Sequence, residues 1–412
     1  MPTVRADTRT EYAALLRRPR YPSFVLTVSL ARMTGAMFIT SGVLLVLGRT
    51  GSAGLAGLTA AASTLPGALS GPVLGAWLDI ARRRRVLIVA DQVLSVAALL
   101  AILALAGRAP DWTVPTVAVL YGITRPFSTG SFVSALAEVA GPELLDRASA
   151  IEATSLNLGI VVGPALAGVL VGAIGAAPVI EIQAALTLLV AVLIAANPVF
   201  EARPATRAES MRQALREGTR VLLGHRLLRN ISGASVLANF SWGLMTITFP
   251  LYAAQRLHAG AHAGGYLWAA VALGSILGTF LLAGTPSARR VAASYAVLGL
   301  SALLWPFADT LLVGFLLITL TGVIEGPAYS GTIALRQRHV PAAVRGQVFN
   351  TLGSLSLGAI SLGSAVGGLL HRPMTTFAVF TAVNLLAAVI AGRAGRTKSP
   401  DTVRIPDTPA GG

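Results

Sequence analysis

The sequence predicts an all-α membrane protein of twelve transmembrane helices in two pseudo-symmetric six-helix bundles. Three observations carry this. Apolar runs of spanning length recur through nearly the whole 412-residue chain, which is 54% apolar and 12% charged. That charged share is about half that of an average soluble domain, and a hydrocarbon core about 30 Å thick needs roughly 20 residues of helix per crossing. Short Arg-rich segments fall at every second junction between the runs, and the second half of the chain echoes the first.

The basic N-terminus (Arg5, Arg9, Arg17, Arg18, Arg20) precedes an apolar run too long for a signal-peptide core and without a small-residue cleavage site, so the run stays as the first span. The expected spans are 22–47, 53–78, 86–107, 113–137, 148–173 and 178–197 in the first half. The second half supplies 230–254, 263–284, 291–307, 311–333, 346–370 and 374–392. Under this assignment one side carries nearly all the basic residues, and the other only Arg49, Arg108, Arg256 and Arg372. The positive-inside rule then places both termini in the cytoplasm. The domains expected are a first bundle, 1–197, a cytoplasmic linker, 198–229, a second bundle, 230–392, and a polar tail, 393–412, expected to be disordered. Within the linker Arg212, Arg216 and Arg220 recur every four residues. That stripe suits either anionic lipid headgroups, at about 1 kcal/mol per Arg, or a solvated helix face.

The internal echo is an ordered series. GITRPFSTG from Gly122 is matched by GVIEGPAYSG from Gly322, each is followed by a Pro–Arg segment (Pro142/Arg147 and Pro341/Arg345), and then Gly159 and Gly168 match Gly358 and Gly367. A weak internal repeat in a twelve-span chain marks transporter folds built from two bundles, with the substrate site near the midplane.

At the end of span 2 the chain reads GPVLGAWLDIARRRR, from Gly71 to Arg85. Gly71 and Gly75 form a small-xxx-small pair that admits a neighbouring helix, and Asp79 offers a charge to a helix terminus or an Arg. This segment resembles the loop between helices 2 and 3 of the major facilitator superfamily, G-x-x-x-D-R-x-G-R-R. Gly75, Asp79, Arg83 and Arg84 match it, whereas Ile80 and Arg82 depart. GIVVGPALAG in span 5 is similar to a pattern of that superfamily's exporters through Gly159, Gly163, Pro164 and Gly168, with Ala167 departing. Proline removes a helix hydrogen bond and glycines permit tight packing, so the segment is expected to bend against its neighbour. RQRHVPAAVRGQVFN from Arg336 and GPELLDRASA from Gly141 resemble the enterobactin-exporter and macrolide-efflux branch.

Charges inside a bilayer cost about 2.5–3.5 kcal/mol on insertion scales, so those retained are candidate functional residues. Arg32 in span 1, Arg125 in span 4 and Glu325 in span 10 stand out. The resemblance implies that helices 1, 4, 7 and 10 line a central pathway, which puts all three at or near it. Arg125 and Glu325 occupy matching repeat positions, and the expectation is that they pair in one state and separate on protonation of Glu325. A static ion pair within one bundle, or Arg32 reaching the headgroups, is the alternative. Asp91, Glu152 and Glu181 sit near span ends and read as interfacial, Asp91 supporting the Arg-rich loop.

Polar and aromatic residues recur on single helix faces: Tyr121, Arg125, Ser128 and Phe132; Asn239, Trp242 and Thr246; Glu325, Tyr329 and Thr332. A mostly apolar cavity with a few polar groups suits an amphipathic organic molecule. Interhelical hydrogen bonding explains Asn239, Ser128 and Thr332 equally well, and packing explains Trp242 and Tyr329.

The formal charge of +15 is spread over loops, not clustered as a nucleic-acid footprint. There is no Cys, all five His fall in loops or span ends, and no nucleotide-binding G-x-x-x-x-G-K-[ST] occurs. The function expected is therefore secondary transport, with no cofactor, metal or catalytic residue. The reading is a monomeric, proton-coupled exporter of a drug, siderophore or secondary metabolite in a bacterial cytoplasmic membrane. Its partners are the small-molecule substrate, protons and membrane lipids. An uncoupled facilitator or importer, or a non-transporting sensor, are the alternatives.

Overall fold

The computed structural model describes residues 8–81, 83–201, 219–282, 284–340 and 345–394. Most of the linker's Arg stripe and the tail beyond Ala394 lie outside these. All regular structure among the described residues is helical, as lipid demands of a chain that must satisfy its backbone internally. The first half comprises α1 (Thr8–Arg17), α2 (Tyr21–Thr50), α3 (Ala53–Ile80), α4 (Arg84–Leu105), α5 (Thr113–Ile123), α6 (Pro126–Ile174) and α7 (Ala176–Ala196). The second comprises α8 (Arg226–Gln255), α9 (Gly264–Leu281), α10 (Ala288–Ser301), α11 (Leu311–His339), α12 (Arg345–Leu370) and α13 (Pro373–Ala394). Among the described residues nine helices are long and apolar enough to cross a membrane. Side chains such as Leu26, Phe280, Phe307 and Leu369 stand exposed on them, as a lipid-facing surface requires.

The helix ends follow local chemistry. α2 stops at Gly51, which takes the left-handed conformation (φ 66°) and returns its N–H to the Leu47 carbonyl. Ser287 and Thr310 cap α10 and α11 by accepting from the N–H groups of Arg290 and Val313, both at 3.3 Å.

The twelve expected spans all fall on helix, with two departures in the fourth and fifth. Span 4 is broken: α5 ends at Ile123 and α6 begins at Pro126 with Arg125 as its N-cap. The polar stretch GPELLDRASA, expected as a loop, is instead helical, and α6 runs on through span 5 with Gly141 (φ 66°, ψ 165°) as its non-helical residue. Glycine accepts that positive φ, and Pro142 restarts a helix whose first N–H would be unpaired anyway. The repeat partner of the α5–α6 break behaves differently, since α11 is continuous through Pro327.

The described residues form two compact units. Unit 1 holds the chain up to residue 201 together with 244–269 and 364–373, and unit 2 holds 219–243, 270–363 and 374–394. In unit 1, α2 packs on α6 where a Cβ at Gly163 would lie 2.8 Å from the Ala36 Cβ, and α3 packs on α5 where a Cβ at Gly67 would lie 2.8 Å from the Gly122 carbonyl oxygen. Gly71 meets Pro126 only at an ordinary 3.9 Å, so the tight crossing lies one turn before the Gly71/Gly75 pair. Two further crossings in this unit are backbone on backbone. A Cβ at Gly57 would sit 2.6 Å from the Ser364 carbonyl oxygen and 3.0 Å from the Gly368 Cα, and Gly168 and Gly265 leave each other no room for any side chain.

In unit 2, α9 and α11 cross through Gly274, Gly278, Gly322 and Gly326. The core there is Trp305, fully buried, edge-on to Phe377 at 5.0 Å and donating its indole N–H to Thr321 Oγ1 at 3.0 Å.

Candidate functional site

Unit 1 contains a small cavity, partly open to solvent, between α2, α4, α5, α6 and α7. Its walls carry Arg32, Thr34 and Gly35 from α2, Asp91, Gln92 and Ser95 from α4, Tyr121 from α5, and Arg125, Ser128, Thr129 and Phe132 around the start of α6. Tyr121, Arg125, Ser128 and Phe132, spaced for one helix face, thus share one cavity.

The break between α5 and α6 positions Arg125. Its Nη1 donates to the Tyr121 hydroxyl at 2.9 Å, and its guanidinium carbon stands 5.4 Å from the centroid of that ring, within cation–π range. The guanidinium crosses to α2 at Gly35, where a Cβ would occupy the same space. Gly35→Ala is therefore expected to fold and express like the parent, because a flexible side-chain end can swing away. Transport should nevertheless fall as it does in Arg125→Ala, and unchanged flux in Gly35→Ala would show that the position of Arg125 is immaterial.

Asp91 is placed otherwise than its distance from the Arg-rich loop suggests. It is 2% exposed. Its Oδ1 accepts from Thr124 Oγ1 at 2.7 Å, and its Oδ2 accepts from the Ser128 hydroxyl and from Gln92 Nε2 at 3.1 Å. It interacts electrostatically with Arg125 without a direct ion pair. The Arg-rich loop is served instead by Glu201, which pairs with Arg85 at 2.7 Å. In that loop Arg84 is buried and Arg83 exposed, while Gly75 and Asp79 lie in the last turns of α3.

Arg32 is paired within its own unit. Nη2 bonds the Glu152 carboxylate and Nη1 donates to the Glu152 carbonyl oxygen at 2.9 Å, with side-chain exposures of 10% and 17%. Gly159 lets this happen, since a Cβ there would lie 3.3 Å from the Arg32 Cβ. Pro164 lies in α6 without interrupting it, and Gly168 faces Gly265. Asp91 and Glu152 are the members that sequence reasoning left at the interface. The available signal was the adjacent polar pair Asp91–Gln92 in the otherwise apolar run VLIVADQVLSV.

In unit 2 Asn239 donates to the Ser235 carbonyl at 2.9 Å and to Ser356 Oγ at 3.2 Å, and Trp242 packs edge-on against Phe380 at 5.3 Å. Glu325 is half-buried and makes no hydrogen bond or ion pair to a described residue of its own unit. Tyr329, one turn on, is 48% exposed. Arg125 belongs to unit 1 and Glu325 to unit 2.

The chain is similar to curated efflux proteins along most of its length. The multidrug efflux pump Tap of Mycobacterium tuberculosis is 28% identical over 382 residues, 89% of this chain and 91% of that protein. Macrolide efflux protein A of Streptococcus pyogenes is 23% identical over 348 residues, 82% and 85%. The crystal structure of the nucleoside transporter NupG aligns over 91% of this chain and 100% of its own with a TM-score of 0.67 at 12% identity, a likeness of fold alone. A sequence model of the Major Facilitator Superfamily matches residues 24–352, and the chain belongs to that superfamily of transporters.

Proposed function

We propose that the protein is a proton-coupled exporter of an amphipathic small molecule, acting by alternating access in a bacterial cytoplasmic membrane, as a monomer with both termini inside. The observation that supports it most is the cavity of unit 1, where Arg32, Arg125 and Asp91 share a wall with Tyr121 and Phe132 while Glu152 pairs with Arg32 beside it. Intramembrane charges of this kind serve ion and substrate pathways, and an aromatic wall with a few polar groups fits an amphipathic molecule. The efflux activities named for Tap and macrolide efflux protein A support the outward direction. Glu325, half-buried and with no hydrogen bond or ion pair to a described residue of its own unit, is the proton acceptor of the cycle.

Flux of a panel of amphipathic compounds in proteoliposomes, with and without an imposed pH gradient, tests this. Gradient-driven accumulation in the parent and its loss in Glu325→Gln are expected. Equal downhill flux in both would make the protein an uncoupled facilitator. Binding of a compound with no flux under any gradient would make it a sensor.

A further inference from the structure

We propose that Asp91 is a second proton-binding site, in unit 1, and that the proton it takes up decides whether Arg125 is compensated from within the protein. The proposal rests on the proton-coupled reading above but concerns a different carboxylate in a different unit.

Asp91 sits where one charge touches both sides of a break in the chain. Thr124, which donates to Oδ1, precedes Arg125 and Pro126, and Ser128, which donates to Oδ2, follows them. The carboxylate thereby clamps the ends of α5 and α6 together around the residue that carries the guanidinium. Gln92 Nε2 bonds both Asp91 Oδ2 and Ser128 Oγ, at 3.1 and 2.7 Å, so the donors form one connected set. The group also lines the cavity, which gives a proton a path to it.

The charged and titratable neighbours are few. α5 offers Tyr121 and the start of α6 offers Arg125, both on the cavity wall, while α7 contributes only Thr187 there. Arg32 of α2 is committed to Glu152, and Glu201, after α7, is committed to Arg85. Arg84, buried on the same face of α4, and Arg85 stand seven and six residues before Asp91, about 9–11 Å along the axis. Asp91 and Arg125 are thus each other's counter-charge in this unit.

An ionised Asp91 is an acceptor at both oxygens. A proton arriving from water on Oδ2 turns that oxygen into a donor, and the Ser128 hydroxyl must rotate from giving a hydrogen bond to receiving one. No covalent bond other than O–H is made. The clamp on the α6 side is thereby rewritten, and Arg125 loses the one carboxylate charge that acts on it among the described residues of the unit. The guanidinium then carries a charge that Asp91 no longer offsets, which favours an anionic group from outside the unit.

Infrared difference spectroscopy of the full chain in lipid nanodiscs, between mildly alkaline and mildly acidic buffer, reads this without a substrate. A protonated-carboxyl C=O band should grow on acidification, should be lost in Asp91→Asn and should persist in Glu325→Gln. If Asp91→Asn is not folded, Asp91→Glu replaces it, and the band should shift in frequency. A band unaltered by both Asp91 variants would overturn the proposal. If that band disappears in Glu325→Gln alone, the proton-coupled reading survives while this inference fails. If no variant alters the spectrum, both fail.

Discussion

Replacing Arg32 by alanine is expected to destabilise the protein by about 3–5 kcal/mol, the scale for removing one partner of a buried ion pair. The loss arises because the Glu152 carboxylate, 17% exposed, keeps its charge and loses its partner. Glu152→Gln should be milder than Glu152→Ala, because the amide still offers an acceptor to Nη2, whereas the backbone bond from Nη1 to the residue-152 carbonyl survives in both. Arg32→Leu combined with Glu152→Leu should recover most of the stability, since well-packed apolar residues replace such a pair with little net change. Equilibrium unfolding in mixed micelles of the two single variants and the double gives the coupling energy directly. Single variants within about 0.5 kcal/mol of the parent would mean that the pair is solvated and contributes little.

The second large effect concerns Gly168 and Gly265. Each backbone fills the space that a side chain on the other would need, so Gly168→Leu cannot be absorbed by a rotamer change and must push α6 and α9 apart. Overpacking of this kind costs about 1–3 kcal/mol, which depletes the close arrangement roughly 5- to 150-fold. Transport should fall accordingly, even though neither glycine touches the charged cavity. The absence of native cysteine makes the check direct. A Gly172→Cys, His262→Cys pair bridges the same two segments of unit 1, as a Cβ at Gly172 lies 2.7 Å from the His262 ring. Its cross-linking should be efficient in the parent background and largely lost with Gly168→Leu. Undiminished cross-linking would show that the crossing tolerates a side chain.

Much of the fold was legible because lipid leaves the chain so little choice. Twelve apolar runs had to be helices, and Arg residues confined to alternate junctions marked where helices end. The missed features are local and three-dimensional. A polar stretch between two spans reads as a loop, yet Gly141 alone supplies the turn and Pro142 lets the helix restart at once, so GPELLDRASA remained helical. The cavity was half legible. Three- and four-residue spacings put Tyr121, Arg125, Ser128 and Phe132 on one face, because helical periodicity is a property of the sequence. Asp91 and Glu152 were not, because what separates an interfacial acid from a buried one is its partner on another helix. Asp91 finds Thr124 and Ser128, and Glu152 finds Arg32, each more than thirty residues away in sequence.

The four ionisable side chains gathered in and beside this cavity have an electrical consequence. With Arg32, Arg125, Asp91 and Glu152 all ionised, two positive charges face two negative ones, and a membrane voltage exerts no net force on the set. A single bound proton ends that neutrality and leaves one elementary charge, on which the voltage does work in proportion to the part of the field it crosses, up to about 2.3 kcal/mol per 100 mV for a full crossing. A negative cytoplasm then pulls the protonated set inward and leaves the unprotonated one unmoved. Voltage sensitivity would thus enter the cycle at the moment of proton uptake, even for a substrate that carries no charge of its own.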